Sequence, residues 1–357
     1  MELLWTKSII EITLSTKEKQ KLVQEFKEIT YDPLGGERYI ELLRKKIYKV
    51  LPETLINTFT SQRSTDSLVS AIVINNAPID EEIYGSPCFE QTGKLFKSGT
   101  LSENIITAFA ALVGEPYSIY FEGQELVNNL TPQAQNQFDY TGLGSEVELD
   151  FHIENAALQY VAEDDYSPSG LFFLGIRIDE TIEPTKTLIA DTRKALKLLN
   201  PFDLKILYGE NFYLNLPYRW REIFSHEAMV KCPVLRGALN KPRVSVAFYS
   251  NMMLPINYAA KMALTRFHQA VKETSEVIQI TPGKLIYVDN RFTLHARERF
   301  TPTYDNQGCP YRWIQRVFVS PSLWAFRNFQ TMGGRVFLPH SNQGMHNHVS
   351  THVPEVA

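Results

Sequence analysis

The sequence predicts a mainly β protein with flanking helices, built as a sandwich or jelly roll, and three observations carry that prediction. Short β-like runs follow one another from YSIYF through ELVNNL, EVELDFHI, GLFFLGIRI, RVSVAFY, GKLIYVDN and FTLHARERF to WIQRVFVS. Few helical stretches interrupt them, as connections between antiparallel layers allow. Three helical stretches, ending at Val113, lie ahead of these runs.

Each element has a local reason. Ser15-Thr16-Lys17-Glu18 forms a capping box that opens a polar helix to about Glu28. A second helix runs from about Glu37 to Val50 and stops near Pro52, and both read as an outer layer. A third spans Leu101 to Val113, ending at Gly114 with Pro116 beyond. Its stripe of Ile105, Ile106, Phe109, Ala110 and Val113 suits packing on a sheet. Further helices are predicted near 188–199 and 256–275. The chain divides into an N-terminal helical layer (1–80), a strand-rich core (81–325) and a C-terminal extension (326–357). That extension holds four of the eight histidines without a periodic pattern and reads as a partly mobile end.

Composition narrows the function. A formal net charge of -4 makes no electrostatic case for nucleic acid or an anionic membrane, so a small-molecule partner is expected. Cys88, Cys232 and Cys309 are widely spaced, which suits reduced thiols and a cytoplasmic location. MELLWTKSII lacks the basic start and apolar core of a signal peptide. No apolar run approaches the about 18 residues of a spanning helix. A homo-oligomer is left open.

Chemistry begins at DFHIEN. Val147, Leu149, Phe151 and Ile153 alternate, so His152 and Glu154 fall together on the opposite face of a strand. The bland reading is a polar outer face; the sharper one is two ligands of a metal site. For a third, His226 and His268 read as surface or packing residues. His295, in YVDNRFTLHARERF, is carried back by a strand after the Asp289-Asn290 turn. Two histidines and a carboxylate make the facial triad that binds non-haem Fe(II) and leaves coordination positions open.

FHIENAA, VDNRFTLHARERF and YRWIQRVFV, taken in order, closely resemble the clavaminate-synthase-like branch of the Fe(II)/2-oxoglutarate-dependent oxygenases. That branch includes bacterial hydroxylases of free L-arginine, L-asparagine and L-lysine. The resemblance covers roughly residues 80–325. It implies a double-stranded β-helix core, His152, Glu154 and His295 as iron ligands, and Fe(II), 2-oxoglutarate and O2 as cofactor and cosubstrates. It further implies that Arg312 pairs with the distal carboxylate of 2-oxoglutarate, through a guanidinium fork that meets a carboxylate with two parallel hydrogen bonds. Arg316, four residues on and on the same strand face, would hold the substrate's α-carboxylate. Thr187 falls where the family places a threonine against 2-oxoglutarate, with Thr185 nearly as good a candidate. Arg297 braces the site, and Asp289 and Asn290 shape the turn before His295. Where relatives present a glutamine to the substrate amino group, the alignment gives Phe121, with Gln124 three residues later. The connection TPTYDNQGCPY is longer than the family's by about three residues.

The resemblance also frames the substrate. Arginine hydroxylases of this branch carry paired aspartates where this sequence has Tyr249 and Asn251, which counts against arginine. L-Lysine is therefore the first expectation, with Asp164 or Asp165 meeting its side-chain amine and Glu154 its α-amino group. Arginine, asparagine, glutamine, ornithine, citrulline or a carrier-bound amino acid are the alternatives. Two readings of other classes remain: a non-catalytic jelly-roll binding protein, and a zinc hydrolase using the same ligands, which would have no use for R-W-x-x-R.

Overall fold

A computed structural model describes residues 8–64, 68–87, 96–133, 136–140, 144–160, 165–217, 220–221 and 229–339. Two sheets face one another in a jelly-roll core flanked by helices. The larger has nine strands among the described residues. Their order is Ile9–Thr13, Ala71–Asn75, Leu285–Asp289, Gly170–Arg177, Trp313–Ser320, Glu115–Ile119, Val336–Leu338 and Gln330–Thr331, and Asn128–Leu130 shares one edge of Trp313–Ser320 with Glu115–Ile119. Pairing is antiparallel except where Ile9–Thr13 meets Ala71–Asn75 and where Val336–Leu338 meets Glu115–Ile119. The smaller sheet runs Glu276–Gln279, Lys186–Asp191, Thr293–Arg297 and Leu149–His152, antiparallel throughout.

Alternation along the strands of the larger sheet builds two cores. On Trp313–Ser320, residues Trp313, Val317 and Val319 pack with the helices, whereas Ile314 and Phe318 face the smaller sheet. Gly170–Arg177 behaves alike: Phe172, Leu174 and Ile176 join the helical core and Leu171 the inter-sheet core. Helix Leu101–Val113 is buried along its whole length between the sheet and helix Glu37–Val50. Its Glu103 accepts a hydrogen bond from Gln315 at 2.7 Å, and Lys97 bridges Glu103 and Asp80 beneath it. The strand that carries Arg316, with Arg312 just ahead of its first residue, is thus held from behind by a paired, buried ionic cluster.

Several elements follow the sequence closely. The Ser15–Glu18 capping box is formed, and helices Glu37–Val50, Leu101–Val113 and Tyr258–Glu273 lie where periodicity places them. Others differ for identifiable reasons. The N-terminal segment is more than a helical layer, because Ile9–Thr13 and Ala71–Asn75 enter the larger sheet. Ala71–Asn75 is buried nearly throughout, so its side chains show no alternation for the eye to find. The helix expected over 188–199 is a strand, Lys186–Asp191, followed by a short helix, Thr192–Ala195, that Asp191 caps through the Arg193 amide. YSIYF leaves the strand at Ile119 and turns into the short helix Tyr120–Gly123. Cys88, Asp164, His226 and residues 340–357 lie outside the described residues. No helix among those described is long and apolar enough to cross a membrane.

Candidate metal centre and its cavity

The chain passes from the larger sheet to the smaller one at Asn290, between Leu285–Asp289 and Thr293–Arg297. This crossing delivers His295 to a position directly opposite His152 across an antiparallel pair. The two imidazole rings lie 4.2 Å apart between centroids. Strand Leu149–His152 ends at the histidine, so Glu154 does not extend it, as the alternation had implied. Glu154 sits in the following turn, where Asn155 adopts φ 53°, a left-handed geometry that asparagine tolerates better than most residues. From there Glu154 Oε2 faces both imidazoles, 3.7 Å from His295 Nε2 and 4.0 Å from His152 Nε2. Ligand atoms of all three residues lie within 4.8 Å of one another.

Neighbouring groups prepare the triad for a cation. His152 Nδ1 is 2.9 Å from the Asp150 carbonyl, which can only accept; that nitrogen must therefore carry the proton, leaving the Nε2 lone pair for the cavity. Burial, reinforced by the His295 ring, pushes the His152 imidazole down to about 3, so it is neutral at physiological pH. Burial works against ionisation of Glu154, yet His295 and the Arg316 guanidinium hold its carboxyl down at about 2. Two imidazoles and one carboxylate, gathered on one side of the cavity, fit a facially bound Fe(II). Asp150 is itself fixed by His268, whose Nε2 lies 2.9 Å from Oδ1 and whose ring stacks on Phe248.

Asn290, expected to shape the turn ahead of His295, does more. Fully buried, it accepts a hydrogen bond from the Glu154 amide (2.9 Å) and donates to the carbonyls of Glu154 (3.1 Å) and Pro168 (2.8 Å). One carboxamide therefore pins the Glu154 turn to the crossing that delivers His295. Replacing Asn290 with alanine leaves these buried backbone groups unpaired, at about 1–3 kcal/mol each. The expected result is a lower denaturant midpoint together with weaker metal retention. Asn290→Asp keeps the acceptor and should fall between.

The cavity above the triad is lined by Thr187, Arg297, Arg312, Arg316 and Tyr249, together with Glu122, Tyr140, Asn155 and Trp220. Thr187 stands opposite Arg297 on the neighbouring strand of the smaller sheet, whereas Thr185 lines a second, smaller depression that Arg312 also lines. Arg297 and Arg312 lie on the ring of Phe300, at 5.2 and 5.1 Å from its centroid, and neither has an ion pair among the described residues. Burial lowers Arg312 to about 9, with Arg297 contributing, and lowers Arg297 to about 10; both remain cations at neutral pH. Arg316 differs, being already partnered. Its Nη2 donates to Glu122 Oε2 (3.2 Å) and Asn128 Oδ1 (3.1 Å), and its Nη1 lies 3.6 Å from Glu154 Oε1.

Three residues expected at the substrate stand elsewhere. Gln124 is exposed, with φ 58° at the end of helix Tyr120–Gly123, and the turn brings Glu122 to the cavity in its place. Asn155 Nδ2 (3.0 Å) and Trp220 Nε1 (3.1 Å) donate to Glu122 Oε1. Asn251 is exposed beyond the cavity lining. Asp165 turns away to Arg243 (2.7 Å) and the Ser167 hydroxyl (2.5 Å). Tyr249 does reach the cavity, its ring stacked at 5.7 Å on Tyr140 and edge-on to His152. Glu122, Tyr140, Asn155 and Trp220 escaped the sequence reading. The only signal for Glu122 was an acid beside the aligned Phe121.

No family model matches the chain. Among curated proteins, L-asparagine oxygenase of Streptomyces coelicolor is 27% identical over 286 residues, covering 80% of this chain and 81% of the relative. Clavaminate synthase 2 of Streptomyces clavuligerus is 24% identical over 339 residues, covering 91% and 95%. Among solved structures, an asparagine oxygenase in complex with Fe(II), 2S,3S-3-hydroxyasparagine and succinate superposes with a TM-score of 0.76. It is 24% identical and covers 92% of this chain and 99% of its own, a likeness of fold. With the three motifs in order and the triad assembled between the sheets, the chain is similar to the clavaminate-synthase-like branch of the Fe(II)/2-oxoglutarate-dependent oxygenases.

Proposed function

We propose that the protein hydroxylates a free L-amino acid, using 2-oxoglutarate and O2 and yielding the hydroxy amino acid, succinate and CO2. The observation that carries this reading is the division of charge along the cavity. At one end Arg297 and Arg312 have no carboxylate partner, matching a dicarboxylate; at the other Arg316 faces Glu122 and Glu154, matching a zwitterion. His152, Glu154 and His295 would hold Fe(II), which supplies the oxygen activation that an unactivated C–H bond requires.

The residues around it position the reactants. The Arg312 fork takes the distal carboxylate of 2-oxoglutarate, with the Thr187 hydroxyl as a further donor. Arg316 takes the amino acid's α-carboxylate, while Glu122 and the free oxygen of Glu154 accept from its α-ammonium group. Trp220 and Asn155 fix Glu122 for that task, and Tyr140, Tyr249 and Trp220 exclude water from the reacting carbon.

The cavity wall also bears on side-chain preference. Lysine was expected because Tyr249 and Asn251 replace paired aspartates, with Asp164 or Asp165 meeting its amine, yet Asp165 is turned to Arg243. Glu122 and Glu154 are the acids lining the cavity among the described residues. A side-chain ammonium buried against Tyr140, Tyr249 and Trp220 would cost several kcal/mol without an anion. A neutral polar side chain, such as that of asparagine or glutamine, is matched by tyrosine and amide groups. The reading therefore ranks neutral amides first, with lysine next and arginine behind it.

Succinate release with Fe(II) and ascorbate tests this directly across L-asparagine, L-glutamine, L-lysine, L-arginine, L-ornithine and L-citrulline. The amides should turn over fastest, and N-acetyl or ester derivatives should give little product. Faster turnover of lysine or arginine would overturn the ranking, and strong activity on blocked substrates would overturn the free amino acid reading.

A further inference from the structure

Arg297 is 5% exposed, and its Nε makes no hydrogen bond. Its other nitrogens reach only backbone carbonyls, of Ser145 (3.5 Å), Glu298 (3.3 Å) and Val147 (3.3 Å). Such long contacts to neutral oxygens are a poor match for a buried cation, and a second cation, Arg312, shares the Phe300 ring with it. A buried cation and a half-buried one on one cavity wall are stable together when an anion lies between them.

Position supplies the second part of the argument. Arg297 follows His295 by two residues on strand Thr293–Arg297, so the two share a face, and the advance between them is roughly 6.7 Å. That is about the span of an extended five-carbon dicarboxylate. Thr187 is the direct cross-strand partner of Arg297, as Ile189 is of His295. A track therefore leads from the metal ligand His295 to a hydroxyl and a guanidinium side by side, with Arg312 beside them on the Phe300 ring.

We infer that Arg297 is a second cosubstrate-binding residue: with Arg312 it forms a doubly cationic clamp on the distal carboxylate and makes the site selective for 2-oxo dicarboxylates over 2-oxo monocarboxylates. This assigns Arg297 a contact beyond bracing the strand, and it rests on the oxygenase reading above.

The test is anaerobic calorimetric titration of the Fe(II)-loaded protein with 2-oxoglutarate and with 2-oxopentanoate, which has the same chain without the distal carboxylate. Arg297→Gln should weaken 2-oxoglutarate about tenfold or more, the loss of one charge-assisted hydrogen bond. It should leave 2-oxopentanoate and the KM of the amino acid unchanged. Arg297→Lys, which keeps the charge and loses the fork, should retain part of the affinity and guards against a fold defect in the glutamine variant. Unchanged 2-oxoglutarate affinity in Arg297→Gln, or equal weakening of both acids, would overturn the inference alone. Absence of 2-oxoglutarate binding by the unaltered protein would overturn the oxygenase reading with it.

Discussion

Replacement of His152 by alanine should remove Fe(II) binding and lower succinate formation by at least about 100-fold, the upper end of what losing even a ligand's outer partner costs. The fold should survive. His152 is buried, but the one hydrogen bond its side chain makes among the described residues is to the Asp150 carbonyl. Its loss is expected to cost about 1 kcal/mol. Circular dichroism and a denaturation curve on the same sample separate the two outcomes. Retained turnover in a folded variant would remove His152 from the triad. The cross-strand pairing of His152 with His295 makes the expectation sharp, because no other histidine among the described residues faces Glu154.

The second large effect divides two arginines four residues apart. Arg312→Lys should raise the 2-oxoglutarate requirement about tenfold or more and leave the amino acid KM near its original value. An ammonium cannot reproduce the two parallel bonds of a guanidinium fork. Arg316→Lys should do the reverse, and it should also loosen Glu122 and Glu154, which both contact this guanidinium. Steady-state kinetics with each reactant varied in turn reads the split. Equal effects of both changes on both reactants would show that the cavity is not divided as described.

How much of this was legible in the sequence depends on whether a residue's role was local. Ser15 and Glu18 cap a helix three residues apart, and Leu101–Val113 carries its own stop at Gly114, so both could be read directly. The spacing of His152 and Glu154 was legible too, although the strand ends between them and a left-handed Asn155 completes the geometry. Arg312, Ile314 and Arg316 reach one cavity because they alternate along one strand with residues buried under the helices. What stayed hidden was set by distant contacts. Glu122 could not be told from Gln124 until the direction of one helical turn was known. Asp165 could not be removed from the substrate until Arg243, 78 positions away, was seen to hold it. Asn290 carries its weight through Glu154, 136 positions distant.

The pairing of Arg316 with Glu122 and Glu154 has a consequence for how ligand traffic is governed. Without an amino acid, this guanidinium is not a bare attractor waiting in the dark; its charge is already quenched by groups of the protein itself. An arriving zwitterion displaces partners instead of meeting naked ones, so its binding is an exchange with a small net Coulombic gain. Under the hydroxylase reading, recognition then rests on shape and bond direction. Affinity is only weakly sensitive to salt, and the hydroxylated product leaves without stranding an unpaired ion behind it.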